Sequence, residues 1–165
     1  MHQDIQWPAN KSELYHLLNM HLVSLVQDTP PISALANAAA LLWEAMPDIN
    51  WAGFYLLKND VLYLGPFQGK VACTMIPVGR GVCGTAAAMQ QIQRVEDVHQ
   101  FPGHIACDSA SNSEIVLPLI KDDVLLGVLD IDSPLLSRFD KVDQEGLQAV
   151  CLSLMQHVDW SAGIL

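Results

Sequence analysis

The sequence predicts a single α+β domain with helices against one face of a mostly antiparallel sheet. Three observations predict it. Two helical periodicities open the chain and one closes it. Five apolar, β-branched or aromatic segments fill the middle. Two of the links between those segments are tight acidic turns, Asn59-Asp60 and Asp122-Asp123, which read as hairpins. Helices segregated from an antiparallel sheet define the α+β class. The 165 residues suit one domain spanning the chain.

The first helix is expected over 12–27, with Leu14, Leu17, Leu18, His21 and Leu25 on one face and Asn10 or Ser12 as its cap. Pro30-Pro31 ends it and opens a second helix over 32–46. Its stripe is Ile32, Leu35, Ala36, Ala39, Leu42, Trp43 and Met46. Strands are expected near 50–58, 61–67, 71–78, 114–120 and 123–132. A short helix covers 81–91, and a long loop covers 95–113. Loops of that length tend to carry function. Asp140 caps a last helix over 141–158, whose stripe includes Val142, Ala149, Val150, Ser153, Leu154 and His157.

Side chains alternate across a strand, so parity sorts the faces. Ala52, Phe54 and Leu56 share one face, as do Ile115, Leu117 and Leu119, and Leu125, Gly127, Leu129 and Ile131. That aliphatic face suits the helices. The opposite face holds Trp51, Tyr55, Glu114, Val116, Val124, Leu126, Val128, Asp130 and Asp132. Large apolar groups beside carboxylates fit neither open water nor a closed core. A half-buried cavity under the 95–113 loop reconciles them, and small-ligand pockets have this mixture.

Composition narrows the function. Eighteen acidic against eight basic residues give a formal charge of −10, which disfavours a nucleic-acid binder. No apolar run reaches membrane-spanning length, and the polar start does not read as a signal peptide, so a cytoplasmic protein is expected. Cytoplasmic thiols are mostly reduced, which directs attention to redox or nucleophilic cysteine chemistry. Gly79 to Gly84 has the letters of a dinucleotide fingerprint but not its βαβ setting. Cys83 there sits near a helix start, a setting that lowers a thiol pKa. Cys73, Cys83, His99, His104 and Cys107 lack the close spacing of structural zinc sites. No metal or cofactor is expected. Cys151 lies among Val150, Leu152 and Leu154 and reads as core. Cys107 sits in the long loop, where packing does not explain it. It reads as a nucleophile with Cys73 and Cys83 as partners.

Four motifs carry a resemblance. They are Asn50-Trp51-Ala52-Gly53-Phe54-Tyr55, Gly81-Val82-Cys83-Gly84-Thr85-Ala86, Ile105-Ala106-Cys107-Asp108 and Leu129-Asp130-Ile131-Asp132-Ser133. Together they resemble the free methionine-(R)-sulfoxide reductases, single-domain GAF proteins, over nearly the whole chain. The resemblance implies reduction of the R epimer of free methionine sulfoxide. It implies Cys107 as the nucleophile that becomes a sulfenic acid, and Cys73 and Cys83 as resolving cysteines. Glu114, Asp130 and Asp132 match the family's pocket carboxylates, and Trp51 and Tyr55 its aromatic wall. Thioredoxin is the implied electron donor, and members often form homodimers. A non-catalytic GAF sensor and a zinc-dependent hydrolase are the competing readings.

Overall fold

The computed structural model describes residues 4–105 and 108–163. Two helices, α1 (Lys11–Val26) and α2 (Pro31–Ala45), lead into strands β1 (Trp51–Lys58), β2 (Val61–Gly69) and β3 (Met75–Pro77). Helix α3 (Gly81–Met89) precedes strands β4 (Gln93–Val95), β5 (Ser113–Lys121) and β6 (Val124–Ser133), and helix α4 (Lys141–His157) follows them. The sheet order is β3-β2-β1-β6-β5-β4, with every pairing antiparallel. This is the predicted α+β class.

Local chemistry sets the element ends. Asn10 accepts from the Glu13 N–H to cap α1, and Pro31 opens α2. Asp140 and Asp143 form a reciprocal capping box on α4. Both predicted hairpin turns have two left-handed residues, Asn59 with Asp60 and Asp122 with Asp123. That is the twist-matched geometry of a two-residue hairpin.

The sheet separates two cores. Helices α1, α2 and α4 bury Ala52, Phe54, Leu56, Ile115, Leu117, Leu129 and Ile131. On the other face Trp51, Tyr55, Val116 and Val128 pack with Val82, Cys83, Ala86 and Ala87 of α3. The parity reading holds along β1 and most of β5 and β6. It fails near the β5–β6 turn, where a bulge pairs Leu119 with Gly127 but Ile120 with Leu125. The extra residue reverses the alternation. Leu126 therefore joins the helix-side core and Leu125 the α3 side.

Other expectations also need correction. In α1 the buried stripe is Leu14, Tyr15, Leu18, Leu22 and Val26, while Leu25 faces out. In α2 Ile32, Ala36 and Trp43 are exposed, and Ala34, Ala38 and Leu41 are buried instead. In α4 Val142 and Ala149 are exposed, while Leu147 and Cys151 are buried. The 71–78 segment is a strand only over β3, and the 95–113 loop begins with the last residue of β4 and contains a 3-10 turn, Val98–Gln100.

One polar cluster in this fold was invisible in the sequence. Asp143 is buried and accepts from the Tyr15 hydroxyl at 2.8 Å, Lys11 Nζ at 2.6 Å and Arg138 Nη1 at 3.1 Å. Arg138 also donates from Nε and Nη2 to the Pro47 carbonyl. The cluster thus ties α1, α4 and the chain entering β1 together.

Candidate active site

Strand register assembles the site. Across β1, β6 and β5, Trp51 pairs with Asp132, and Asp132 with Glu114. In the next row Gly53 pairs with Asp130, and Asp130 with Val116. Alternation puts all of these on the α3 side of the sheet. Of these, Trp51, Glu114, Asp130 and Asp132 line one cavity with Tyr55, Ile76, Cys83, His104, Ile105, Asp108 and Ser111. The expected hollow beneath the loop is present, and the loop supplies its far wall.

The aromatic wall is built from both predicted residues, Trp51 and Tyr55, with Phe67 stacked on Trp51 outside the cavity lining. Trp51 stacks on Tyr55 at 5.8 Å between centroids and on Phe67 at 5.2 Å. The stack exists because residue 53 has no side chain. A Cβ there would lie 2.3 Å from Phe67 Cβ and 2.7 Å from Trp51 Cη2. The alternation reading covers β1, β5 and β6 and so leaves out Phe67, which lies on β2 opposite Gly53. Both polar tips of the wall are satisfied. Trp51 Nε1 donates to the Lys70 carbonyl at 3.1 Å, and the Tyr55 hydroxyl to the Cys73 carbonyl at 3.0 Å.

Asn50, Asp108 and Ser111 were also missed as site residues. The Asn50 amide donates to Asp108 Oδ2 at 3.1 Å and to Ser111 Oγ at 3.0 Å, pinning the loop to the start of β1. Their only sequence signal is that each lies in or beside a motif already quoted. At the other side of the loop, Ile105 rests against Gly81, whose φ of +63° favours glycine.

The four cysteines take distinct positions. Cys83 is buried in the cavity wall, with its thiol donating toward Glu114 Oε1 at 3.9 Å. Cys73 is half-buried between β2 and β3 and is held in a disulfide. Cys151 is a buried free thiol on α4, as expected. Cys107 lies outside the described residues. Of the residues weighed for zinc, Cys83 alone joins a compact donor group among the described residues. Its other members, Glu114 and Asp130, place donor atoms within 4.8 Å of it and of each other. His99 instead meets Asn112 at 3.0 Å.

Residues 12–158 match the GAF domain family. A free methionine-R-sulfoxide reductase of Escherichia coli (strain K12) is 58% identical over 146 residues, 88% of each chain. A Neisseria meningitidis free methionine-R-sulfoxide reductase, solved in complex with its substrate, superposes with a TM-score of 0.90 at 44% identity over 95% of each chain. The reduced form of the Staphylococcus aureus enzyme gives 0.86 at 48% identity over 95% of this chain and 100% of that one. The chain belongs to the free methionine-(R)-sulfoxide reductase family of GAF domains.

In this reductase-family member, burial dominates the electrostatics of the site. Desolvation raises the Glu114 and Asp132 carboxyls well above the usual carboxylate range, and the neighbouring Asp130 raises them further. Asp130 is raised to about 6, also by burial, with hydrogen bonds from Cys83 and Glu114 opposing the shift. Burial thus favours the protonated form of all three carboxyls, which titrate as one coupled cluster. Asp130 is 6% exposed and Asp132 is half-buried, in keeping with the expected half-buried cavity.

The sequence expectation for Cys83 is also reversed. Burial, and then the charges of Asp130 and Glu114, push its thiol well above normal despite its place in the first turn of α3. A helix end contributes less than full desolvation beside acids. His104 is lowered, first by burial and then by His99, so it stays neutral although its Nε2 lies 3.9 Å from Glu114. This fits a protonated Glu114, which offers it no counter-charge.

The raised acids predict an unusual pH dependence of stability. A carboxyl whose folded pKa exceeds its unfolded value binds protons better when folded. Its stabilising contribution is complete below the unfolded pKa and disappears as pH rises through the folded one. For Asp130 that window runs from 3.8 to about 6, and Glu114 and Asp132 extend it upward. The thermal midpoint should therefore be higher at pH 5 than at pH 8, by about 5 °C. Asp130→Asn should flatten this slope; an equal slope in the variant would refute the assignment.

Proposed function

We propose that the protein reduces free L-methionine (R)-S-oxide to L-methionine through cysteine chemistry. The observation that carries this reading is the buried acid cluster under the loop that bears Cys107, sharing one cavity with the stacked Trp51 and Tyr55. The relatives named above support it: two free methionine-R-sulfoxide reductases were solved with substrate.

A sulfoxide sulfur is a weak electrophile, and its oxygen leaves only when protonated. The Cys107 thiolate attacks sulfur while Glu114 delivers a proton to oxygen. The protonated oxygen passes from the substrate sulfur to the Cys107 sulfur as the transient sulfur–sulfur bond breaks, so methionine departs and Cys107 is left as a sulfenic acid. A second thiol condenses with it, releasing water and forming a disulfide. Cys73 suits this first resolving role: it is half-buried and disulfide-bonded, whereas Cys83 is buried and held protonated. Cys83 then serves a later exchange. Thioredoxin returns two electrons and two protons, regenerating the thiols. In balance, sulfoxide plus dithiol gives methionine, disulfide and water. Asp130, whose Oδ1 is buried with no hydrogen-bond partner, meets the substrate ammonium, with Asp132 beside it. The aromatic wall takes the S-methyl group, which fixes the epimer.

The protein works in this reading as a cytoplasmic enzyme, alone or as a homodimer. No described helix is long and apolar enough to cross a membrane. The test is to incubate the protein with each epimer of free methionine sulfoxide and dithiothreitol and to quantify methionine. Turnover of the R epimer, lowered at least ~1000-fold in Cys107→Ser, is the expected result. Absence of methionine from wild type would leave a ligand-binding GAF module as the reading.

A further inference from the structure

One thiol and two carboxyls converge in the cavity from three elements. Cys83 comes from the first turn of α3, Glu114 from β5 and Asp130 from β6. One donor atom of each lies within 4.8 Å of the other two. The distance from Cys83 Sγ to Glu114 Oε1 is 3.9 Å. Two donors on one tetrahedral zinc, bonded at about 2.3 Å to sulfur and about 2.0 Å to oxygen, stand about 3.5 Å apart. The three atoms are therefore near the spacing at which a single ion touches all of them.

The group is more than clustered acids. Cys83 is a free thiol, 3% exposed, and Glu114 and Asp130 are 6% exposed each. A second, independent observation points to a cation. Asp130 Oδ1 is buried with no hydrogen-bond partner, on a side chain that lines the cavity. A buried carboxyl oxygen without a donor calls for a positive partner. A fourth donor stands beside the group: His104 Nε2 lies 3.9 Å from the other Glu114 oxygen.

The donor set selects the ion. Calcium and magnesium take shells of oxygen. A thiolate with an imidazole suits zinc and other thiophilic divalent cations. Deprotonated, the thiol and two carboxyls would gather three negative charges about one buried point. A divalent cation relieves that repulsion, and a coordinated thiol gives up its proton outright.

We propose that the reduced protein binds one thiophilic divalent cation, zinc in the first instance, on Cys83, Glu114 and Asp130, with His104 as the fourth donor, and that the bound ion blocks the cavity. The ion and the substrate ammonium compete for Asp130. The ion also occupies the acid that serves the sulfoxide oxygen. It is an inhibitor and takes no part in the reaction proposed above. The blocking half of the proposal rests on the reductase reading, and the binding half stands without it.

The test uses the full chain, reduced, desalted without air and titrated with Co²⁺ as the probe. One Co²⁺ per chain and a thiolate-to-cobalt charge-transfer band are expected, and Zn²⁺ should bleach the band. Cys83→Ala should abolish it. Asp130→Asn should weaken binding at least ~100-fold, since losing an outer partner of a ligand alone costs ~10–100-fold. Cys107→Ser and Cys151→Ser should keep both band and stoichiometry. A band that survives in Cys83→Ala would overturn the site. X-ray absorption on the wild-type zinc complex asks the same question without any variant. One sulfur at ~2.3 Å with nitrogen or oxygen donors at ~2.0 Å is expected, and no sulfur, or more than one, would refute the assignment. For the blocking half, reduced protein is mixed with free methionine (R)-sulfoxide without added dithiol, and methionine is counted over one turnover. One equivalent of Zn²⁺ should cut the initial rate at least ~10-fold, and EDTA should restore it. Zinc that binds and leaves the rate unchanged would overturn the blocking. If metal-free protein forms no methionine, the blocking half falls with the reductase reading, while the cobalt titration still decides the site.

Discussion

Asp143→Ala should cost about 3–5 kcal/mol of folding stability, the range for breaking a buried ion pair on one side. Asp143 is 1% exposed and serves four donors: Tyr15, Lys11, Arg138 and the Asp140 backbone. Alanine leaves the half-buried Arg138 guanidinium facing a void and the buried Tyr15 hydroxyl without its short acceptor contact. It also removes half of the capping box. Part of Arg138 stays bound, because two of its nitrogens donate to Pro47. Asp143→Asn keeps an acceptor and loses the charge, so its cost should be smaller. Urea unfolding of both variants measures this. A loss under about 1 kcal/mol for alanine would show that the cluster is decorative.

Glu114→Gln should lower kcat about 10²–10⁴-fold, the usual range for losing a general acid. The amide keeps the size of the side chain, so its position between His104, Cys83 and the β6 acids is preserved. What disappears is the transferable proton. In wild type, activity should fall at alkaline pH as the raised Glu114 carboxyl finally ionises. In Glu114→Gln that limb should be gone and the residual rate flat. Asp130→Asn should act on KM through the substrate ammonium. Asp132→Asn is the rival proton donor: if it erases the alkaline limb and Glu114→Gln does not, the two roles exchange. The pH–rate profiles of the three variants, measured with dithiothreitol as reductant, decide between them.

Much of the site was readable because alternation along a strand is a strong constraint. Trp51, Tyr55, Glu114, Asp130 and Asp132 were grouped by parity and do share one cavity. Leu126 was misplaced because nothing in its neighbours signals the bulge that inverts the count. Phe67 lies on β2, a strand that the alternation reading did not cover. Helix faces were read less well. Ile32 and Trp43 were counted as core from their apolarity, yet the alanines beside them make the contact. The Cys83 thiol was misjudged because local position suggests a helix-end effect, while the buried acids that dominate come from β5 and β6. The Asp143 cluster joins residues more than a hundred positions apart in the chain. No spacing rule reaches that far.

The sheet that parts the two packed layers also parts two kinds of tolerance. Residues turned toward α1, α2 and α4 decide whether the chain stays folded, and those turned toward α3 decide what it transforms. Laboratory evolution aimed at durability can therefore work on outward positions such as Met20, Ile32 and Leu152, all well exposed on the helices, with little interference in turnover. Efforts to retarget the substrate belong on the opposite side, where they start from a scaffold already anchored elsewhere.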